Sequence, residues 1–139
     1  MTAFTLTKAY TEKLFEILFS DPLTGMTTYF DPSIKTIIAQ EEKDPIRHTG
    51  VYTLDEWKQV GGSITSRLKD RKLVMVPTAI DVAGNKAFVE LAGTATQLNG
   101  RPYNNRYMWI MIFNDTGKVV EVREYFDTAL VQELMQTNP

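Results

Sequence analysis

A chain of 139 residues holds one domain with a genuine core and is too short for two, so a single domain over 1–139 is expected. Hydrophobic content of 43% and charged content of 23% are those of an ordinary globular protein, and a net charge of −2 without a Lys/Arg cluster argues against a nucleic-acid partner. No apolar run approaches the about 20 residues of a membrane span, and MTAFTLTKAY lacks a basic region followed by an apolar stretch, so no membrane partner and a cytoplasmic location are expected.

Thr5 or Thr7 is placed to cap a helix running to about Ser20, with Tyr10, Leu14, Ile17 and Leu18 on one stripe and Asp21-Pro22 to stop it. Tyr10 on that stripe is either plain core or a phenol turned into a site. A helical turn around Met26 to Phe30 follows, and Asp31-Pro32 breaks it before a strand from Ser33 to Gln40, where Ile34, Thr36 and Ile38 alternate with Lys35, Ile37 and Ala39 and both faces are expected to be at least partly covered. Glu41 to Asp44 is a charged turn. Ile46 to Tyr52 then leads to a helix start at Thr53, where Thr53-x-x-Glu56 has the spacing of a capping box. Leu54, Trp57, Val60, Ile64 and Leu68 form the inward stripe of this helix, which ends near Asp70. Gly61-Gly62 inside it marks close packing, a pocket wall or a break.

Lys72 to Val82 and Lys86 to Leu98 read as strands joined at Ala83-Gly84-Asn85, and Asn99-Gly100 turns the chain into a long hairpin, Arg101 to Asp127. Alternation runs through Tyr103 to Phe113 and Lys118 to Phe126, about the turn Asn114-Asp115-Thr116-Gly117. Pairing Phe113 with Lys118 sets Met111 opposite Val120, Trp109 opposite Val122, Tyr107 opposite Glu124 and Asn105 opposite Phe126. A slip of one residue would turn Glu124 to the other face, but it would also set Trp109 and Met111 beside Arg123 and Glu121, against the pattern. Thr128 to Met135 is a short terminal helix capped by Asp127. Helices first and strands after is an α+β signature: a curved, mainly antiparallel sheet forming a cone, with the N-terminal helices covering its concave face.

One face of the hairpin gathers Tyr103, Asn105, Tyr107, Trp109 and Glu124. A carboxylate among Trp109, Val122 and Phe126 is poorly solvated, which raises its proton affinity, and a neighbouring phenol can donate a hydrogen bond; the alternative is a surface Glu on a half-exposed sheet. The lack of cysteine excludes thiolate catalysis and sulfur-ligated metals, one histidine is too few for a usual zinc site, and no phosphate-binding Gly loop is present. Acid–base chemistry without metal or cofactor is therefore expected, in a cone that takes a hydrophobic small molecule.

Glu124 is the leading general acid or base. Tyr107 and Tyr103 would hydrogen-bond it or a substrate carbonyl, or are core residues with incidental hydroxyl bonds. Asn105 would orient a polar substituent, and Trp109, Met111, Val122 and Phe126, with Tyr10, would form the wall. His48, expected near the pocket mouth, is either a proton-transfer group or an exposed loop residue. The back of the hairpin would show Met108, Ile110 and Ile112 beside Val119, enough apolar surface to predict a homodimer through the outer sheet face.

Gly50-Val51-Tyr52-Thr53, LNGRPYNNRY at 98–107 and GKVVEVREYFD at 117–127 together resemble the SnoaL-like polyketide cyclases and ketosteroid isomerase relatives, which share the cone fold of nuclear transport factor two. The resemblance covers residues 4–136. That fold hosts isomerases, dehydratases, cyclases, epoxide hydrolases and non-enzymes. Arg123 to Asp127 is similar to the last strand of limonene epoxide hydrolases, where the acidic residue at the position of Glu124 faces the pocket. The Arg and Asp those enzymes carry on an earlier strand correspond here to Leu91 and Gly93, so epoxide hydrolysis is not implied. Ketosteroid isomerases place a base on the first strand, but Ser33 to Gln40 holds no carboxylate, and a dehydratase would need further histidines. The likeness to small fungal SnoaL-like proteins of secondary metabolism implies a cofactor-free isomerase or cyclase acting on a polycyclic natural-product intermediate. A non-catalytic binding or assembly domain is the other expectation.

Overall fold

A computed structural model describes residues 3–139; positions 1 and 2, part of the expected 1–139 domain, lie outside the described residues. Helix α1 (Lys8–Ser20) begins where the Thr7 side chain accepts from the Tyr10 N–H. Asp21 then ends one helix and starts the next: its N–H bonds the Ile17 carbonyl, while its carboxylate accepts from Thr24 to cap α2 (Pro22–Tyr29). Pro22 suits that first turn because no hydrogen bond is asked of its nitrogen. The second helix is therefore longer than the turn expected around Met26. Strand β1 (Phe30–Ile38) also starts earlier than expected and runs through Asp31-Pro32. The proline is tolerated because the ladder to the neighbouring strand is interrupted between Phe30 and Lys35.

Strand β2 (Gly50–Tyr52) leads into α3 (Leu54–Thr65), whose capping box forms as the sequence predicts, with Thr53 and Glu56 bonding each other's backbone. The helix stops at Thr65, short of Asp70, and a 3-10 turn at Lys69–Arg71 follows. Strands β3 (Val74–Ala83), β4 (Lys86–Thr94), β5 (Arg106–Phe113) and β6 (Val119–Phe126) form an antiparallel meander, and α4 (Thr128–Thr137) closes the chain behind its Asp127 cap. The sheet order is β2-β1-β6-β5-β4-β3, and among the described residues β1 with β6 is the one parallel pair. Bulges break the β3–β4 register between Pro77 and Ala79, and the β5–β6 register between Ile112 and Phe113. Such extra residues bend a strand and steepen its twist, which gives the sheet its concave face. The helices pack onto that face over a core that includes Leu14, Phe15, Leu18, Trp109 and Met111.

The hairpin register differs from expectation by two residues. Trp109 lies opposite Glu124, Tyr107 opposite Phe126 and Met111 opposite Val122. Phe113 pairs with Val119 and not with Lys118, because Asn114 closes a longer turn by accepting from the Lys118 and Thr116 N–H groups; the bulge then adds the second step. Two steps restore the parity of the strand, so Glu124 keeps the inner face that one step would have cost it. The same bulge turns Val119 into the core, fully buried, so it is not part of the outer face that carries Met108, Ile110 and Ile112. Among the described residues no helix is long and apolar enough to cross a membrane.

Candidate active site

The cone holds a cavity of about 400 Å³ that opens to solvent. Its floor is the inner face of β5 and β6, where alternation presents Tyr107, Trp109, Glu124 and Phe126. One wall is α3: the capping box fixes where that helix begins, and helical spacing then aligns Trp57, Val60, Gly61 and Ile64 toward the space. Leu18, Met26 and Phe30 face them, Leu73 and Met75 close the β3 side, and exposed Lys58 stands at the rim. A Cβ on Gly61 would meet nothing within 4 Å, so of the readings left open for the glycine pair the pocket wall holds at Gly61.

Glu124 is 5% exposed and both its oxygens are occupied. Trp109 Nε1 donates to Oε2 at 2.7 Å and Trp57 Nε1 to Oε1 at 3.2 Å. The two indoles lie 5.2 Å apart at 56°, and Trp57 stacks on Phe30 at 5.8 Å, which orients both donors. Burial raises the carboxyl pKa to about 7, against the lowering effect of the two indole N–H groups. Among the described residues no Lys, Arg or His forms an ion pair with it.

The partners predicted for Glu124 bond elsewhere. Tyr107 Oη lies 3.2 Å from Tyr103 Oη, and Asn105 Nδ2 reaches Tyr103 Oη at 3.3 Å. Asn105 also clasps the β6–α4 junction, accepting from the Asp127 N–H at 3.0 Å and donating to its carbonyl at 3.1 Å. Of this trio only Tyr107 lines the cavity; Tyr103 and Asn105 are packed behind it, 0% and 1% exposed. Burial raises the pKa of both phenols, so each is a neutral hydroxyl. Gly93 makes the room for the Tyr107 ring: a Cβ there would stand 3.1 Å from Tyr107 Cε1 and 3.1 Å from the Asn105 carbonyl oxygen.

Other predicted site residues fall outside the cavity. Met111 and Val122 are fully buried on the inner sheet face but belong to the core and not to the cavity wall. Tyr10 donates to the Gly117 carbonyl at 2.7 Å and packs against Phe4, Tyr29 and Phe113, so it fastens the far end of the hairpin. Gly117 adopts φ +83°, and a side chain there would strike the Tyr10 hydroxyl. His48, at φ 60°, lies in a separate recess with Lys43, Tyr52 and Glu56, its Nε2 3.2 Å from Ser63 Oγ. Burial, with a smaller contribution from Arg67, holds its pKa below the ordinary histidine range. It is buried and away from the mouth, so neither alternative weighed for it describes where it lies.

Sequence reasoning missed the role of Trp57, which it placed only on the inward stripe of its helix. The available signal was that a buried indole N–H needs an acceptor, and Glu124 is a buried carboxylate on the facing sheet.

No protein-family model matches the chain, and no curated protein sequence does. Solved structures do. An NTF2-like protein of unknown function from Burkholderia pseudomallei K96243 superposes with a TM-score of 0.73 at 18% identity, covering 91% of this chain and 95% of that one. A candidate SnoaL-like polyketide cyclase from Jannaschia sp. CCS1 gives 0.71 at 14% identity over 94% of both chains. TerC, co-crystallised with polyporic acid, gives 0.72 at 16% identity over 92% of this chain and 96% of that one. At such identities the likeness is one of architecture, and the chain has the nuclear transport factor two-like cone fold found in SnoaL-like proteins.

Proposed function

We propose that this protein is a cofactor-independent isomerase or cyclase that encloses a hydrophobic polycyclic intermediate of secondary metabolism and moves a proton with Glu124. The observation that carries the proposal is a carboxyl of pKa about 7 facing an apolar cavity of about 400 Å³. Near neutrality such a group is populated in both protonation states, so it can remove a proton at one carbon and return it at another. The cavity volume falls in the range of about 300–1,000 Å³ typical of small-molecule sites. Trp57, Trp109 and Phe126 hold one conformer of the ligand against the carboxyl, and Tyr107 supplies a neutral hydroxyl beside it. The ligand of TerC, on the same fold, supports a small-molecule occupant here. The outer sheet face, with Met108, Ile110 and Ile112 half-buried and Tyr125 46% exposed, is where a second copy of the chain would pack.

The occupied carboxylate oxygens favour a second reading, a domain that binds such molecules without turning them over. Exchange of the α-protons of α-tetralone in deuterium oxide, followed by proton NMR, separates the two. An isomerase accelerates the exchange, with a rate that rises as Glu124 ionises around pH 7 and falls to background in Glu124→Gln. Saturable binding with exchange at the background rate would identify a binding domain.

A further inference from the structure

The hydrogen bonds behind the cavity run in one direction. The Asp127 backbone fixes the Asn105 amide, because its N–H can only donate, to Oδ1, and its carbonyl can only accept, from Nδ2. The remaining Nδ2 hydrogen points to Tyr103 Oη. Tyr103, fully buried, has one other hydrogen-bond partner for its hydroxyl among the described residues, the Tyr107 hydroxyl, so its own proton goes there. Tyr107 thus receives a hydrogen bond from behind, and none of the described residues accepts its proton. Its ring lines the cavity.

We propose that Asn105 and Tyr103 act as positioning residues that hold the Tyr107 hydroxyl as a hydrogen-bond donor into the cavity, so that the site takes ligands with a carbonyl or enolate oxygen at that point. Each step of the chain polarises the next, which strengthens the last donor. Tyr107 and Glu124 occupy diagonal positions of the β5–β6 pair, with backbones about 7–8 Å apart, so that both side chains rise from the same face toward one ligand. This assignment rests on the cavity being the ligand site, as in the proposed function, but it requires no turnover.

The test uses quenching of tryptophan fluorescence to compare α-tetralone, an acceptor, with tetralin, the same skeleton without oxygen. It adds the infrared carbonyl stretch of the bound ketone. The ratio of ketone to hydrocarbon affinity is expected to fall about ten-fold in Tyr107→Phe, the worth of one hydrogen bond. In Tyr103→Phe, tetralin binding should be unchanged while the carbonyl stretch moves toward its unbonded frequency, which a merely structural loss would not produce. Glu124→Gln should keep both the ratio and the stretch even though proton exchange is lost, so failure of the acid–base reading and failure of the donor relay give different results. Three outcomes overturn the relay: no ketone binding by the wild type, an unchanged ratio in Tyr107→Phe, or an unchanged stretch in Tyr103→Phe. A ratio lost in Glu124→Gln would overturn it too, by making the carboxyl the donor.

Discussion

Glu124→Gln is expected to remove part of the protein's pH-dependent stability. The folded-state pKa is about 7 against an ordinary 4.5, so the folded protein binds this proton more tightly than the unfolded chain does. The stabilisation is fully present below pH 4.5, declines as pH rises and is gone above about 7. With each tenfold of proton affinity worth about 1.4 kcal/mol, the loss between pH 5 and pH 8 is about 2–3 kcal/mol. Gln carries no such proton, and neither partner indole can accept from its amide. The amide N–H₂ therefore faces one indole N–H, a donor against a donor, which costs about 1–3 kcal/mol at every pH. The diagnostic is thus the slope and not the absolute stability. His48, whose depressed pKa makes stability fall as pH drops through its titration, is common to both proteins and cancels in the difference. Urea unfolding at pH 5 and pH 8 should show the wild type losing about 2–3 kcal/mol relative to the variant, roughly 1–2 M in midpoint at ordinary slopes. A wild type and variant whose stability difference is the same at both pH values would refute the burial argument for Glu124.

Gly93→Ala should push the Tyr107 ring toward the cavity, lowering stability by about 1–3 kcal/mol and weakening ketone binding more than hydrocarbon binding, read by urea melts and fluorescence titration. Tyr10→Phe removes one hydrogen bond to the hairpin turn and should lower stability by about 1 kcal/mol while leaving ligand affinity unchanged, since the ring is outside the cavity. Light scattering should give twice the 15.8 kDa chain mass for the wild type and a single chain mass for Ile110→Arg; a wild-type mass of one chain would exclude the outer-face dimer.

Local chemistry set much of this molecule in the sequence. Thr53 and Glu56 sit three apart and cap α3, Asp127 caps α4, and the alternation from Tyr107 to Phe113 and from Val122 to Phe126 decides which side chains share a face. Those features depend on neighbours a few residues away. Parity in a strand survives any even change of register, which is why Glu124 could be placed inside the cone although its partner across the strand was misassigned. What faces what is a different matter. The bulge near Val119, the Asn114 turn and the docking of α3 over the sheet gave Glu124 its indole partners, one of them 67 positions away in the chain. Strand β5 begins only at Arg106, so Tyr103 and Asn105 leave the alternation that would have aimed them at the cavity and pack behind Tyr107. Such contacts come from the shape of the curved sheet, where long-range packing selects among registers and rotamers that local preference leaves equivalent.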